Sequence, residues 1–179
     1  MPAQFWESTL NSPQLGAGAS LNTSAALTDI SPAPQLVLPG NFLYVGSALR
    51  LTAFGTFATS GTTPTLLLGF YYGGIAGIAL AATAALTAPN TATVNWPWRL
   101  EATATVRTVG ASGTIMVQGY CDIAATLTTV THVPIPATAL ATVPIDTTAA
   151  KAITVGAQWG TSAAANIAFC QQFICEALN

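Results

Sequence analysis

An all-β fold, an antiparallel sandwich of about eight strands, follows from three observations. Long segments alternate apolar and polar residues with a period of two; Gly-containing turn segments separate them; and no segment after residue 40 sustains the 3.6-residue period of an amphipathic helix. Regularly spaced short strands of this kind pack as two sheets around one core.

The first 40 residues stand apart from this pattern. Pro2, Pro13, Pro32, Pro34 and Pro39 punctuate a Gly/Ala/Ser/Leu-rich run without a sustained period, which reads as an extended arm with one short helix over residues 23–29. Phe5, Trp6, Leu10, Leu15 and Leu21 are apolar in a way that a free linker is not, so they are expected to dock on a partner. The division is thus an arm at 1–40 and a sandwich domain at 41–179. Deleting residues 1–34 is then expected to leave the domain folded.

From residue 41 the strands follow one another. Leu49, Leu51, Ala53, Gly55 and Phe57 alternate with Arg50, Thr52, Phe54 and Thr56. Residues 65–72 and 75–83 form two apolar runs that meet at Gly73-Gly74, a hairpin turn. Trp98, Leu100, Ala102, Ala104 and Val106 alternate with Arg99, Glu101, Thr103, Thr105 and Arg107, so one face is buried and the other charged. Across the VGASG turn, Ile115, Val117, Gly119, Cys121 and Ile123 alternate with Thr114, Met116, Gln118, Tyr120 and Asp122, completing a hairpin. A Thr/Val run at 138–143, an alternating run through Ile153, Val155, Ala157 and Trp159, and a last run at 166–178 complete the set.

The stretch from Leu51 to Trp98 has no charged residue, and 23 mostly apolar residues within it, 66–88, would span a hydrocarbon core of about 30 Å as a helix. Arg50 and Arg99, the nearest basic residues, lie far from those 23. Phe70, Tyr71 and Tyr72 favour strands, and a lone span inside a β domain would leave strand edges unpaired. Two strands buried on both faces, at a subunit boundary, are expected instead, and no membrane partner.

Charged residues make up 6% of the chain, against about 25% in an average protein. Four basic and six acidic residues give a net charge of −2, which lacks the basic footprint of nucleic-acid binding. With so few charges to keep a free monomer dispersed, much of the surface is expected to meet partners. The first 15 residues lack the basic and apolar regions of a signal peptide, so synthesis in a cytoplasm is expected. Cys121, Cys170 and Cys175 are odd in number and read as buried thiols.

Groups for catalysis are sparse. His132, the single histidine, lies in THVPIP and reads as a solvent-facing loop residue. No G-x-S-x-G elbow occurs, and GAGASL at 16–21 lacks the rest of a phosphate-binding fingerprint. Zinc would need about four Cys or His ligands in paired spacing, whereas Cys170 and Cys175, five apart, face opposite sides of an unbroken strand. Glu101 and Asp122 approach across the hairpin as a glycosidase pair must, but Arg99 and Arg107 beside them point to surface ion pairs. No enzymatic activity, metal or cofactor is expected. Trp96, Trp98, Tyr71, Tyr72 and Trp159 are assigned to the core or to a subunit interface.

Three stretches carry a resemblance: GSALRLTAFGTF (46–57), WPWRLEATATVRTVGASGTIMVQG (96–119) and IDTTAAKAITVGAQWGTSAAANI (145–167). In these the chain resembles jelly-roll virion proteins of tailed bacteriophages, which decorate heads or form tail-associated spikes. The resemblance implies an antiparallel jelly-roll sandwich. It further implies a homotrimer on the capsid surface, assembled in the host cytoplasm, that cements the major capsid protein. The alternative it leaves is a tail-fibre or spike component binding a host receptor or glycan through aromatics such as Trp6, Tyr71 or Tyr120.

Overall fold

The computed structural model describes residues 8–59, 63–126 and 128–178. Phe5 and Trp6 lie outside them. The strands are β1 (Ser8–Thr9), β2 (Thr28–Asp29), β3 (Leu36–Leu38), β4 (Ala48–Ala58), β5 (Thr65–Tyr72), β6 (Ile78–Ala82), β7 (Leu86–Thr87), β8 (Trp96–Thr108), β9 (Gly113–Ala124), β10 (Val130–Ile135), β11 (Thr142–Ile145), β12 (Lys151–Trp159) and β13 (Ile167–Ala177). Every pairing is antiparallel. One sheet runs β1-β13-β4-β8-β9-β10, with β11 also on β9; the other runs β2-β12-β5-β6, with β3 also on β12 and β7 also on β5. We call them sheets A and B.

The two sheets enclose a single core, and the period-two pattern places its residues. Leu49, Leu51, Ala53 and Phe57 of β4, Trp98, Leu100, Ala102, Ala104 and Val106 of β8, and Ile115, Val117, Cys121 and Ile123 of β9 are all buried from sheet A. Leu66, Leu68, Phe70 and Tyr72 of β5 meet them from sheet B with Ile153, Val155, Ala157 and Trp159 of β12. The all-β sandwich expected from the sequence is the observed architecture. The strands outnumber the eight expected because each sheet edge is broken into short pieces.

Those edges share a device. β2 and β3 lie end to end along β12, β6 and β7 along β5, and β10 and β11 along β9. Pro134 and Pro144 sit inside β10 and β11, and Pro34 and Pro39 flank β3. Proline lacks an N–H, so a short edge containing it is a poor template for pairing with another chain. A chain with few lysines thus protects its edges with proline.

Residues 8–40 are sewn onto one edge of each sheet. Residues 8–21 run along β13: after the β1 pairing, the Leu10 amide donates to Cys175 O (2.8 Å), the Gly18 amide to Cys170 O (2.8 Å), and Leu21 bridges Ala168. Pro13 interrupts the backbone ladder, and the Gln14 side chain replaces it, donating to Phe173 O (2.7 Å) and accepting from the Phe173 amide (3.0 Å). The chain then crosses to sheet B. The Ile30 amide donates to Val155 O (2.9 Å), and β2 and β3 pair with β12. Residues 23–29, expected as a short helix, end in strand β2, because β12 supplies their backbone partners.

The two apolar runs around Gly73-Gly74 are strands. Gly73 and Gly74 have φ of +85° and +78°, as the turn requires, and β5 occupies residues 65–72 as expected. The second strand starts at Ile78 rather than at Ile75, because the Gly77 amide closes the turn on Gly74 O (3.0 Å). No helix among the described residues is long and apolar enough to cross a membrane. The outer face of β5 is covered from within the chain. Tyr71 is 6% exposed, and its ring and Leu27 lie over Gly156, where a Cβ would stand 2.6 Å from the Tyr71 ring.

A β-bulge between Cys170 and Gln172 overturns the expectation that Cys170 and Cys175 face opposite sides. The extra residue shifts the alternation by one, and both thiols enter the core with Cys121. Burial pushes each of the three thiols up to about 12. Native protein is therefore expected to leave all three unreactive toward a disulfide exchange reagent at mildly alkaline pH, and to release three equivalents in denaturant. Absorbance of the released chromophore measures this; a native thiol that reacts rapidly would contradict the burial.

Candidate functional surfaces

The outer face of sheet A carries most of the charge. Arg50, Arg99 and Arg107, with Glu101, Asp122 and Glu176, project from it by strand alternation, six of the ten charged residues in the chain. Arg50 pairs with Glu176 across β4 and β13 at 3.3 Å, Arg99 pairs with Glu101, and the Arg99 guanidinium lies 5.5 Å from the centre of the Phe54 ring. Glu101 thus has a cationic partner of its own, as an ion pair requires and a carboxylate dyad does not.

His132 is not in a loop. It lies in β10 opposite Asp122, with Nδ1 2.5 Å from Asp122 Oδ1, and its ring stacks on Tyr120 at 4.6 Å between centroids. An ionised carboxylate only accepts, so Nδ1–H is the donor. Among the described residues, no group of three His, Cys, Asp or Glu side chains is placed to hold a metal ion.

Beside this pair the edge of sheet A has a notch. β10 ends with Ile135 opposite Gly119, and β11 begins with Thr142 opposite Met116, so residues 117 and 118 lie between the two strand ends. The intervening chain swings away through the cis Ile135-Pro136 bond, and the Ala137 amide donates to Ala82 O of sheet B (2.9 Å). The result is a groove of about 470 Å³ with Glu101, Thr103, Gln118 and Tyr120 along one side and Pro134, Thr138 and Leu140 along the other. Gly119, at the floor of the gap, lets β9 approach β8 closely: a Cβ there would lie 1.9 Å from Glu101 O.

A second surface lies at one end of the sandwich. Phe42, Tyr44, Val45 and Val109 are 40–60% exposed, yet the backbone around them is tied down. The Asn41 amide donates to Thr147 O (2.7 Å), the Thr147 amide to Gly110 O (3.0 Å), the Gly46 amide to Val106 O (2.9 Å), and the Tyr44 amide to Ser47 Oγ (2.9 Å). Buried Leu43 anchors the loop from below. Large apolar side chains held rigidly in water are costly for a monomer and favourable for a docking surface.

The residues singled out from sequence scatter over the molecule. Trp98 and Trp159 are core residues, Trp96 is half-buried against the core, and Tyr72 is buried with its hydroxyl donating to Asp146 O at 2.9 Å. Leu21 is 1% exposed in the core, Leu10 packs against it, and Leu15 is 97% exposed. Sequence reading missed the apolar end and the notch, although Phe42, Tyr44 and Val45, between Pro39-Gly40 and Gly46, were a visible apolar run in a turn-rich segment.

No family model matches the chain, and no match was found among curated proteins or solved structures.

Proposed function

We propose that the protein is a non-catalytic assembly subunit: a jelly-roll virion protein that stands as a homotrimer on a phage capsid and cements the major capsid protein. The observation that carries the reading is the rigid apolar end formed by Phe42, Tyr44, Val45 and Val109. The expected anchor was the arm; its Leu10 and Leu21 pack within the chain's own sandwich and its strands pair with β13 and β12, so we assign that role to the end of the sandwich.

Other features support it. β13 pairs with β4 and β12 with β5, while β1 and β3 flank β13 and β12, an arrangement of nested antiparallel pairs consistent with a jelly roll. The low charge favours a covered surface. A structural role also accounts for thiols raised to about 12, too high to act as nucleophiles at neutral pH.

The chain expressed alone is expected to sediment as a trimer and, mixed with capsids that lack it, to sediment with them. Val45→Asp places a charge in the apolar end, and it should keep the circular dichroism spectrum while remaining in the supernatant. A stable monomer, or full capsid retention of Val45→Asp, would overturn the reading.

A further inference from the structure

We propose that the notch of sheet A is a binding site for a neutral saccharide. Its size falls within the roughly 300–1,000 Å³ typical of small-ligand sites, and its lining combines one aromatic platform with several hydrogen-bonding side chains.

Tyr120 supplies the platform. It is 55% exposed, yet its ring is not free to wander, because His132 stacks on it and Asp122 holds His132. A pre-positioned ring loses little entropy on binding, and it offers an apolar surface to the C–H face of a pyranose while its hydroxyl remains available to water or ligand. Around it stand groups suited to ring hydroxyls: Glu101 as acceptor, Gln118 as both donor and acceptor, and Thr103 and Thr138 as either.

The same lining argues against other ligands. Among the described residues Glu101 is the single charged one of the groove, and Arg99 neutralises it, so neither an anion nor a cation finds an uncompensated partner. A proline-rich peptide would favour a groove lined by several aromatics, and among the described residues Tyr120 is the one aromatic here. Hydrolysis needs two carboxyl groups flanking the bond, and Asp122 is engaged by His132, so the site binds without cleaving.

The test is calorimetric titration of the full-length protein with maltotetraose, cellotetraose, chitotetraose, mannotetraose and galactotetraose. At least one should bind. Tyr120→Ala should weaken that binding roughly tenfold or more, and Gln118→Ala should weaken it too, with both variants folded by circular dichroism. His132→Ala, which frees the ring without removing a ligand contact, should weaken binding less than Tyr120→Ala. Absence of binding by all five sugars, equal binding by Tyr120→Ala, or uptake of a proline-rich peptide in the notch instead would each overturn the proposal. The titration reads the soluble chain and needs no capsid, so its outcome is separate from that of capsid attachment.

Discussion

Removal of residues 1–34 is expected to abolish cooperative folding, not merely to release the protein from a partner. The deletion takes Leu21 and Ile30, 1% and 0% exposed, out of the core, and each fully buried aliphatic side chain is worth about 1.5–3 kcal/mol. It also strips β13 and β12 of the partners provided by β1, Leu21 and β2, exposing backbone groups of both sheets. Against a total stability of about 5–15 kcal/mol for a domain, the combined loss is decisive. Thermal melting followed by circular dichroism measures it, and a cooperative melt of the truncated chain near that of the full chain would refute the integration of this segment. Ile30→Ala isolates one part of the effect and should cost about 2–5 kcal/mol in urea unfolding.

Trp98→Ala is expected to destabilise the protein by about 3–5 kcal/mol, read from the urea midpoint, through the cavity left by a large buried ring. Trp98 is 2% exposed, its Nε1–H donates to Thr56 O at 3.3 Å, and its ring fills the space above Gly55. The neighbouring glycine gives this prediction a sharper form. A Cβ at position 55 would stand 2.2 Å from the Trp98 ring and 2.0 Å from Phe169 O, so Gly55→Ala should also destabilise the fold, by overpacking. Combining the two changes should not restore stability, because removing the ring leaves the backbone oxygen in place. Recovery in the double variant would mean that the ring contact alone sets the requirement for glycine.

Pro97, next to Trp98, shows how a proline is accommodated in a long central strand. β8 pairs with β4 at Pro97, opposite Thr56, while its pairing with β9 starts only at Trp98, opposite Ile123. The missing N–H therefore falls where β8 has one neighbour instead of two.

What the sequence by itself determined is the set of faces. The alternation of Leu49 to Phe57, of Trp98 to Val106 and of Ile115 to Ile123 assigns inward and outward residues, since side chains on a strand point to opposite sides at each step whatever the strand pairs with. The turn at Gly73-Gly74 was equally local, because tolerance of positive φ is a property of glycine itself. Only the tertiary structure decided which strands are neighbours. Asp122 and His132 meet because β9 and β10 pair in one register, Gln14 acts as a backbone surrogate because β13 runs beside it, and the single-residue bulge at residue 171 returns Cys175 to the core. The notch arises where two edge strands stop short of each other on β9, and residues 8–38 join the sandwich because both sheets had an open edge to offer. Each of these depends on hydrogen bonds between residues distant in the chain, and local periodicity carries no information about a partner strand that lies far away in sequence.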